Sequence, residues 1–312
     1  MTTTPALSIY LEPDLRQSAE AGQHNFIRLM VEVAEESGFQ VAFRDTGQTQ
    51  RLAARTRSDY ALFHMESPVN ERHLCFRRTY YYPFWAIEPT EKRWDWHVAR
   101  TTFDPTDVPR KEADGFFARW QTRLFSDAPQ KASSAGYVYI PLQGRLLDHR
   151  SFQSCSPLQM IENVLEHDHA REIVAALHPK AKYSTAELDK LDALARRFPR
   201  LRVETGDMER WLTGCDYVVT QNSSAAFSGY FFRKPAVLFA QIDFGHIANQ
   251  VRSMGPEDAI QSAMDLRPDY AGYIHWFWQR MSINAGRPDA KDRIADAFRR
   301  NGWPVTRPAR SD

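Results

Sequence analysis

The residues best suited to chemistry lie between Leu177 and Ala240. There an apolar run ends in Leu177-His178-Pro179, Asp216 opens Tyr-Val-Val-Thr-Gln-Asn222-Ser223-Ser224, and Lys234-Pro235 precedes Ala-Val-Leu-Phe-Ala. An imidazole leaving a buried strand can donate to a phosphate oxygen or transfer a proton near neutral pH. It can equally cap the neighbouring loop. Asn222, Ser223 and Ser224 fall between a strand and a helix, where an amide, two hydroxyls and the helix's first N–H groups can cradle an oxyanion. The same residue types also serve as plain N-caps. Each of these pieces reads as the carboxyl end of a buried strand or the start of the helix after it, the place where open α/β sheets hold ligands.

Other candidates surround that stretch. Gln143 and Asp148 follow an apolar strand in Pro-Leu-Gln-Gly-Arg-Leu-Leu-Asp-His-Arg-Ser. Asp148 can act as nucleophile, base or sugar-hydroxyl ligand, or pair with Arg145 or Arg150. Glu66, in Phe63-His64-Met65-Glu66-Ser67, and Glu88, in Ala86-Ile87-Glu88-Pro89, end strand-like runs and are candidate carboxylates for activating an incoming hydroxyl. The rings between them, Tyr80, Tyr81, Tyr82, Phe84, Trp85, Trp94 and Trp96, can stack on sugars, although core packing is the plainer use. His167-Asp168-His169 looks metal-like, but residues two apart on a helix point about 200° apart. It reads as a solvated helix end, and no metal site is expected. The chain has no GxGxxG and no GxxxxGK[ST], so dinucleotide oxidoreductases and P-loop kinases lack their phosphate loop. GxSxG, HExxH and Asp-x-Asp are missing too, which points away from a divalent ion on a diphosphate.

The elements that must position these groups alternate. In the first half, residues 7–11 read as a strand, 24–37 as a helix stopped by Gly38, and 40–43 and 60–64 as strands, a rhythm that argues for a parallel sheet. From 71 to 107 the pattern dissolves into an aromatic, basic segment. A helix over 111–124 and a linker over 126–135 close this half. The second half is cleaner. Residues 137–142 form a nearly continuous apolar run, as in a strand buried on both faces. Ser156 with Pro157 and Gln159, and Ser184 with Glu187, are capping boxes opening helices to about 165 and 197. Strands at 173–177, 201–203, 217–220 and 236–240 alternate with helices at 208–212 and 223–232, a Rossmann-like order. The tail reads as helices over 270–281 and 289–300 that return to the first domain. The expected domains are 1–130, 136–262 and 263–312.

Bulk properties narrow the class. A chain of 312 residues suggests two cores. Forty basic residues against thirty-nine acidic leave a net charge of +1, so no overall field favours nucleic acid or an anionic membrane. The N-terminal residues lack the pattern of a signal peptide, and no stretch approaches the ~20 apolar residues of a membrane span. Cys75, Cys155 and Cys215 are isolated, and read as buried or half-buried thiols of a reducing, cytoplasmic compartment.

Taken together, the strand ending in Leu142-Gln143 with Asp148 beyond it, Leu177-His178-Pro179, Asp216 with Thr220-Gln221-Asn222-Ser223-Ser224, and Lys234-Pro235 resemble the capsule-polysaccharide biosynthesis glycosyltransferases. That family includes transferases of Kdo, an eight-carbon acidic sugar, from CMP-Kdo. The resemblance covers roughly residues 137–245. It implies an α/β, GT-B-like architecture of two Rossmann-like domains facing a cleft, with no metal or other cofactor. The nucleotide-sugar donor would bind the second domain. His178 and Pro179 would lie near its phosphate with Asn222, Ser223 and Ser224, and Gln143 and Asp148 near the transferred sugar. One departure stands out: Gly144-Arg145-Leu146-Leu147 separates Asp148 from Gln143 more widely than in the family. The expected partners are a nucleotide sugar and a polysaccharide or glycolipid acceptor, with peripheral attachment at the inner membrane face left open. A non-catalytic nucleotide-sugar-binding module and a sugar-nucleotide epimerase are the alternatives on the same scaffold.

Overall fold

The computed structural model describes residues 4–306. Its chain divides into two α/β units. The first runs to Thr101 and resumes at Trp276, and the second is Thr102–His275. Each holds a six-stranded, mainly parallel sheet.

In the first unit the strands are β1 (Ala6–Leu11), β2 (Gln40–Asp45), β3 (Tyr60–His64), β4 (His73–Arg78), β5 (Phe84–Glu88) and β12 (Ile283–Asn284). Their order is β12-β5-β4-β3-β1-β2. The pairs β1–β2, β1–β3 and β3–β4 are parallel, while β5 runs antiparallel to both β4 and β12. Helix Asn25–Glu36 buries Phe26, Met30 and Val33 against this sheet, with His24 as its N-cap and Gly38 beyond its end at φ +85°. The aromatic segment that reads as patternless is where β4 and β5 form. Two adjacent strands with no helix between them carry no alternating signal. Phe84 stacks on Trp278 at 4.4 Å and Trp85 on Phe26 at 4.7 Å, so these rings build the core. The tail returns in part: helix Ala290–Arg300 packs on helix Asn25–Glu36 and adds Ile294 and Phe298 to the core, with Trp303 just beyond it, whereas residues 270–275 stay in the second unit, packed on helix Arg110–Phe125.

The second unit contains β6 (Tyr137–Leu142), β7 (Glu172–Leu177), β8 (Leu201–Thr205), β9 (Tyr217–Thr220), β10 (Ala236–Leu238) and β11 (Asn249–Gln250). All pair in parallel, in the order β11-β10-β9-β6-β7-β8. This is the doubly wound Rossmann order, in which the chain steps outward from β6 to β8 and then restarts on the other side at β9. Val138, Ile140, Ile173, Tyr217 and Val219 are fully buried, as strands covered on both faces require. Both capping boxes are formed, opening helices Pro157–His167 and Thr185–Arg197. Helix Arg110–Phe125, which the sequence groups with the first half, belongs here. Its Phe117 stacks on Phe231 at 5.4 Å, and Gln121 Nε2 donates to the Phe231 carbonyl.

Candidate functional site

Between β6 and β9 the winding changes direction, and the carboxyl ends of the strands part there. A recess of about 240 Å³ opens at this point, lined among others by Gln143, His178, Pro179, Asp207, Ser223 and Ser224. Asn222 lines a smaller recess beside it, together with Gln143, Arg150, Gln221 and Ser223. Five of the residues singled out from sequence therefore share one recess: Gln143, His178, Pro179, Ser223 and Ser224.

His178 follows β7. Its backbone N–H donates to the Tyr183 hydroxyl at 2.8 Å, and that hydroxyl donates to the Leu142 carbonyl at 3.3 Å. Tyr183 thus ties the ends of β7 and β6 together, and burial pushes its hydroxyl above the usual phenol value. Sequence reasoning missed it, because nothing local marks a tyrosine in a loop as a brace. The Lys180 N–H donates to His178 Nδ1 at 3.1 Å. With Nδ1 accepting, the neutral ring carries its proton on Nε2 and presents a donor there.

Ser223 caps the helix Ser224–Phe231. Its Oγ accepts from the Ala225 N–H at 3.2 Å, and its own N–H donates to Thr220 Oγ1 at 3.4 Å. The N-cap reading of this residue is borne out, and capping does not use up its hydroxyl. A hydroxyl that accepts one bond still has a proton to give, and the capped helix brings its positive end to the recess. The helix is apolar on every side, with all residues from Ala225 to Phe231 buried. It is anchored in the core rather than lying on the surface.

The loop after β6 is held from outside the recess. Glu187, in the first turn of helix Thr185–Arg197, accepts from the Ser184 N–H and hydroxyl and from the Leu146 N–H. Chiefly the backbone N–H bond from Ser184 holds its carboxyl below the ordinary range. A Cβ at Gly144 would stand 3.0 Å from the Lys182 carbonyl, a tight contact that a larger residue could make only if that backbone gave way slightly. Asp148 lies on the exposed outer part of the loop, paired with Arg145 at 3.0 Å, and lines neither recess.

Asp216 and Lys234 are elsewhere, which corrects the reading that every piece of the motif lies at the carboxyl end. Both stand before their strands, at the amino edge of the sheet. Asp216 accepts from the Gly136 N–H at 3.0 Å and from Arg171 Nε at 2.6 Å. Lys234 Nζ donates to the carbonyls of Ser133 and Cys215, each at 2.6 Å. Asp168 is no solvated helix end either: it is buried and accepts from Arg171 at 3.0 Å and from the Tyr217 hydroxyl at 2.8 Å. Burial alone would raise its pKa, and those two partners outweigh burial and hold it low. The three thiols are free, with Cys75 and Cys215 buried and Cys155 half-buried. Burial raises Cys75 and Cys215 to about 12 and Cys155 to about 11, so none offers a thiolate at neutral pH.

Glu66 and Glu88 both belong to the first unit, and the structure does not bring them to one edge of its sheet. Glu66 lies beyond the carboxyl end of β3, 3.9 Å from Arg51. Because β5 is antiparallel, Glu88 pairs in register with Cys75 and points its strand end toward the opposite edge. Its buried carboxylate accepts from the His97 N–H at 3.1 Å and lies 3.6 Å from Arg300. Among the described residues, no helix is long and apolar enough to cross a membrane.

No family model matches the chain, and no curated protein matches it. The structure is similar to the Thermosulfurimonas dismutans KpsC beta Kdo 2,7 transferase, at 12% identity and a TM-score of 0.49, covering 86% of this chain and 88% of that one. It is similar as well to the beta Kdo 2,4 transferase of the same KpsC, at 12% identity and a TM-score of 0.46, over 88% and 90%. A third likeness is to the Methanocaldococcus jannaschii UDP-GlcNAc 2-epimerase, at 8% identity and a TM-score of 0.38, over 95% and 99%.

Proposed function

We propose that this protein is a glycosyltransferase that binds a nucleotide-sugar donor in the recess between β6 and β9 and moves the sugar to a surface polysaccharide or glycolipid. One observation carries the reading. At the switch point of a Rossmann-ordered sheet, an oriented imidazole donor and a capped helix N-terminus converge on one recess. Those groups suit a phosphate whose negative charge grows as the sugar leaves. Ser223, Ser224 and Asn222 hold the phosphate, and His178 Nε2–H stabilises the leaving group. Gln143 hydrogen-bonds the donor near the transferred sugar. Asp148 acts only if it leaves Arg145, and its attack on the anomeric carbon gives retention. Direct attack by an acceptor hydroxyl gives inversion. CMP-Kdo is the donor proposed, and the cytoplasmic face of the membrane the place of action.

The test is a thermal-shift series with CMP, UDP, GDP and dTDP, followed by transfer assays with the matching sugar donors. A nucleotide at about a hundred times its Kd stabilises the protein by about 2.7 kcal/mol. His178→Ala is expected to lower transfer by ~100-fold, the scale of losing one leaving-group donor. If no nucleotide raises Tm and no donor is consumed, the reading fails. Conversion of the donor sugar without an acceptor assigns an epimerase instead.

A further inference from the structure

The smaller recess of the second unit contains groups that the proposed function leaves unused. It shares the walls Pro141, Leu142, Gln143 and Ser223 with the larger recess, and Arg150, Gln221 and Asn222 line it alone. Its volume of about 10 Å³ admits a single oxygen-sized group. Arg150 is half-buried, and its Nε is fully covered with no hydrogen-bond partner. Asp148, the carboxylate whose charge it feels, is paired with Arg145 at 3.0 Å instead. Burial lowers the pKa of Arg150, and the charge of Arg145 adds to that. An arginine keeps its proton even so. It is therefore a cation partly taken from water, with no carboxylate of the described residues paired to it.

The residue is nonetheless firmly held. Its N–H donates to Gln153 Oε1 at 2.7 Å, and its carbonyl accepts from the Gln153 N–H at 2.9 Å. Gln153 bridges to Ala240 beyond β10, flanked by bonds from the Ser154 N–H to the Phe239 carbonyl and from the Gln241 N–H to the Phe152 carbonyl. The guanidinium carbon lies 4.8 Å from the centre of the Phe152 ring. None of these contacts uses the hydrogen-bond donors of the guanidinium. Gln221 is a second observation at the same recess. Only 6% of it is exposed. Its Nε2 donates to the Cys155 carbonyl at 3.0 Å, while its Oε1 is buried and accepts nothing. One recess thus holds a buried donor and a buried acceptor, both without partners, which a group from outside the chain would satisfy.

We infer that Arg150 binds a second oxyanion of the donor, beside the phosphate held at Ser223. The inference rests on the glycosyltransferase reading above and deepens it, because the donor must then carry two anionic groups. One oxygen of the second anion fills the small recess and accepts from the guanidinium, while the rest of the donor lies in the larger recess that shares its walls. Two donor chemistries supply such an oxygen: the carboxylate of an acidic sugar, and the second phosphate of a nucleoside diphosphate.

The experiment measures Kd by calorimetry, and Tm, for the whole chain as wild type, Arg150→Gln and Arg150→Lys. The ligands come in pairs that differ by one anionic group: CMP with CMP-Kdo, UMP with UDP, GMP with GDP, and dTMP with dTDP. Within the pair that the wild type binds, Arg150→Gln is expected to leave affinity for the first ligand unchanged. It should weaken the second by about 10- to 100-fold, the scale of a charge-assisted hydrogen bond. Arg150→Lys keeps the charge and loses the fork, so it should recover part of that loss. Both variants should keep the wild-type Tm, since the guanidinium gives up no hydrogen bond within the chain. A loss confined to CMP-Kdo assigns the sugar carboxylate, and one confined to a diphosphate assigns the second phosphate. Undiminished affinity of Arg150→Gln for both members of a pair overturns the inference alone and leaves the space to a water. An equal loss on both members also overturns it, by putting Arg150 on the first phosphate. A wild type that binds none of these ligands overturns the glycosyltransferase reading and the role of Arg150 together.

Discussion

Ser223 closes the first turn of helix Ser224–Phe231 and also lines the recess, whereas His178 is exposed and holds only a loop N–H. The two residues therefore separate stability from the proposed function. Removing an N-cap hydroxyl costs about 1 kcal/mol, which in a unit of this size lowers Tm by about 3 °C. We expect Ser223→Ala to show that loss in calorimetry along with weaker nucleotide binding, and His178→Ala to leave Tm unchanged. Equal Tm for both variants would mean that the cap is not made in solution. From the chain alone His178 was legible, because proline after a histidine at the end of an apolar run marks a strand exit. Arg150 was not. From the chain it reads as a partner for Asp148, and only the folded loop makes it a wall of the recess instead.

At the scale of elements, the two edges of the second sheet differ in kind. The carboxyl edge holds polar groups around a recess, from the exposed His178 to the buried Ser223. The amino edge is braced by Asp168, Arg171, Asp216 and Tyr217, which tie the end of helix Pro157–His167 to the starts of β7 and β9. Asp168 has its folded pKa depressed, so its contribution to stability is present above the unfolded carboxylate value of about 3.9 and is lost as pH falls further. Acid unfolding followed by circular dichroism should show stability declining below about pH 4. In Asp168→Asn that decline should be shallower and start from a lower neutral-pH stability. A variant curve parallel to wild type would remove Asp168 from this role. The capping boxes and apolar strands made this unit readable residue by residue. What sequence could not tell was which end of each strand a polar residue serves. Asp216 and Lys234 sit beside strands exactly as ligand residues do, but before them rather than after.

Across the whole molecule the two units differ in continuity. The second is one uninterrupted stretch, Thr102–His275, while the first is assembled from residues up to Thr101 and the segment from Trp276 onward. Strand β12 and helix Ala290–Arg300 supply its last sheet edge and part of its core, including Ile294 and Phe298, with Trp303 following. Deleting residues after His275 should therefore expose Phe26, Phe39 and Trp85 and melt the first sheet. Hydrogen exchange would report that as lost protection in β1, β3 and β4, with β6, β7 and β9 retained. Retained protection in β1 would show that the tail is dispensable. The aromatic tail was readable as a segment in need of a partner, and its hydrophobic spacing in 289–300 named the helix. The register of β12 was not readable, since two residues hold no periodicity.

That split gives biosynthesis a direction. A ribosome makes β1 to β5 well before the segment from Trp276 onward, and they cannot finish their core until that segment has emerged. The inner unit has all of its strands by His275 and can close while the outer one is still waiting. For that interval Phe26, Phe76 and Trp85 lack part of their cover, an aggregation risk that the segment from Trp276 onward removes.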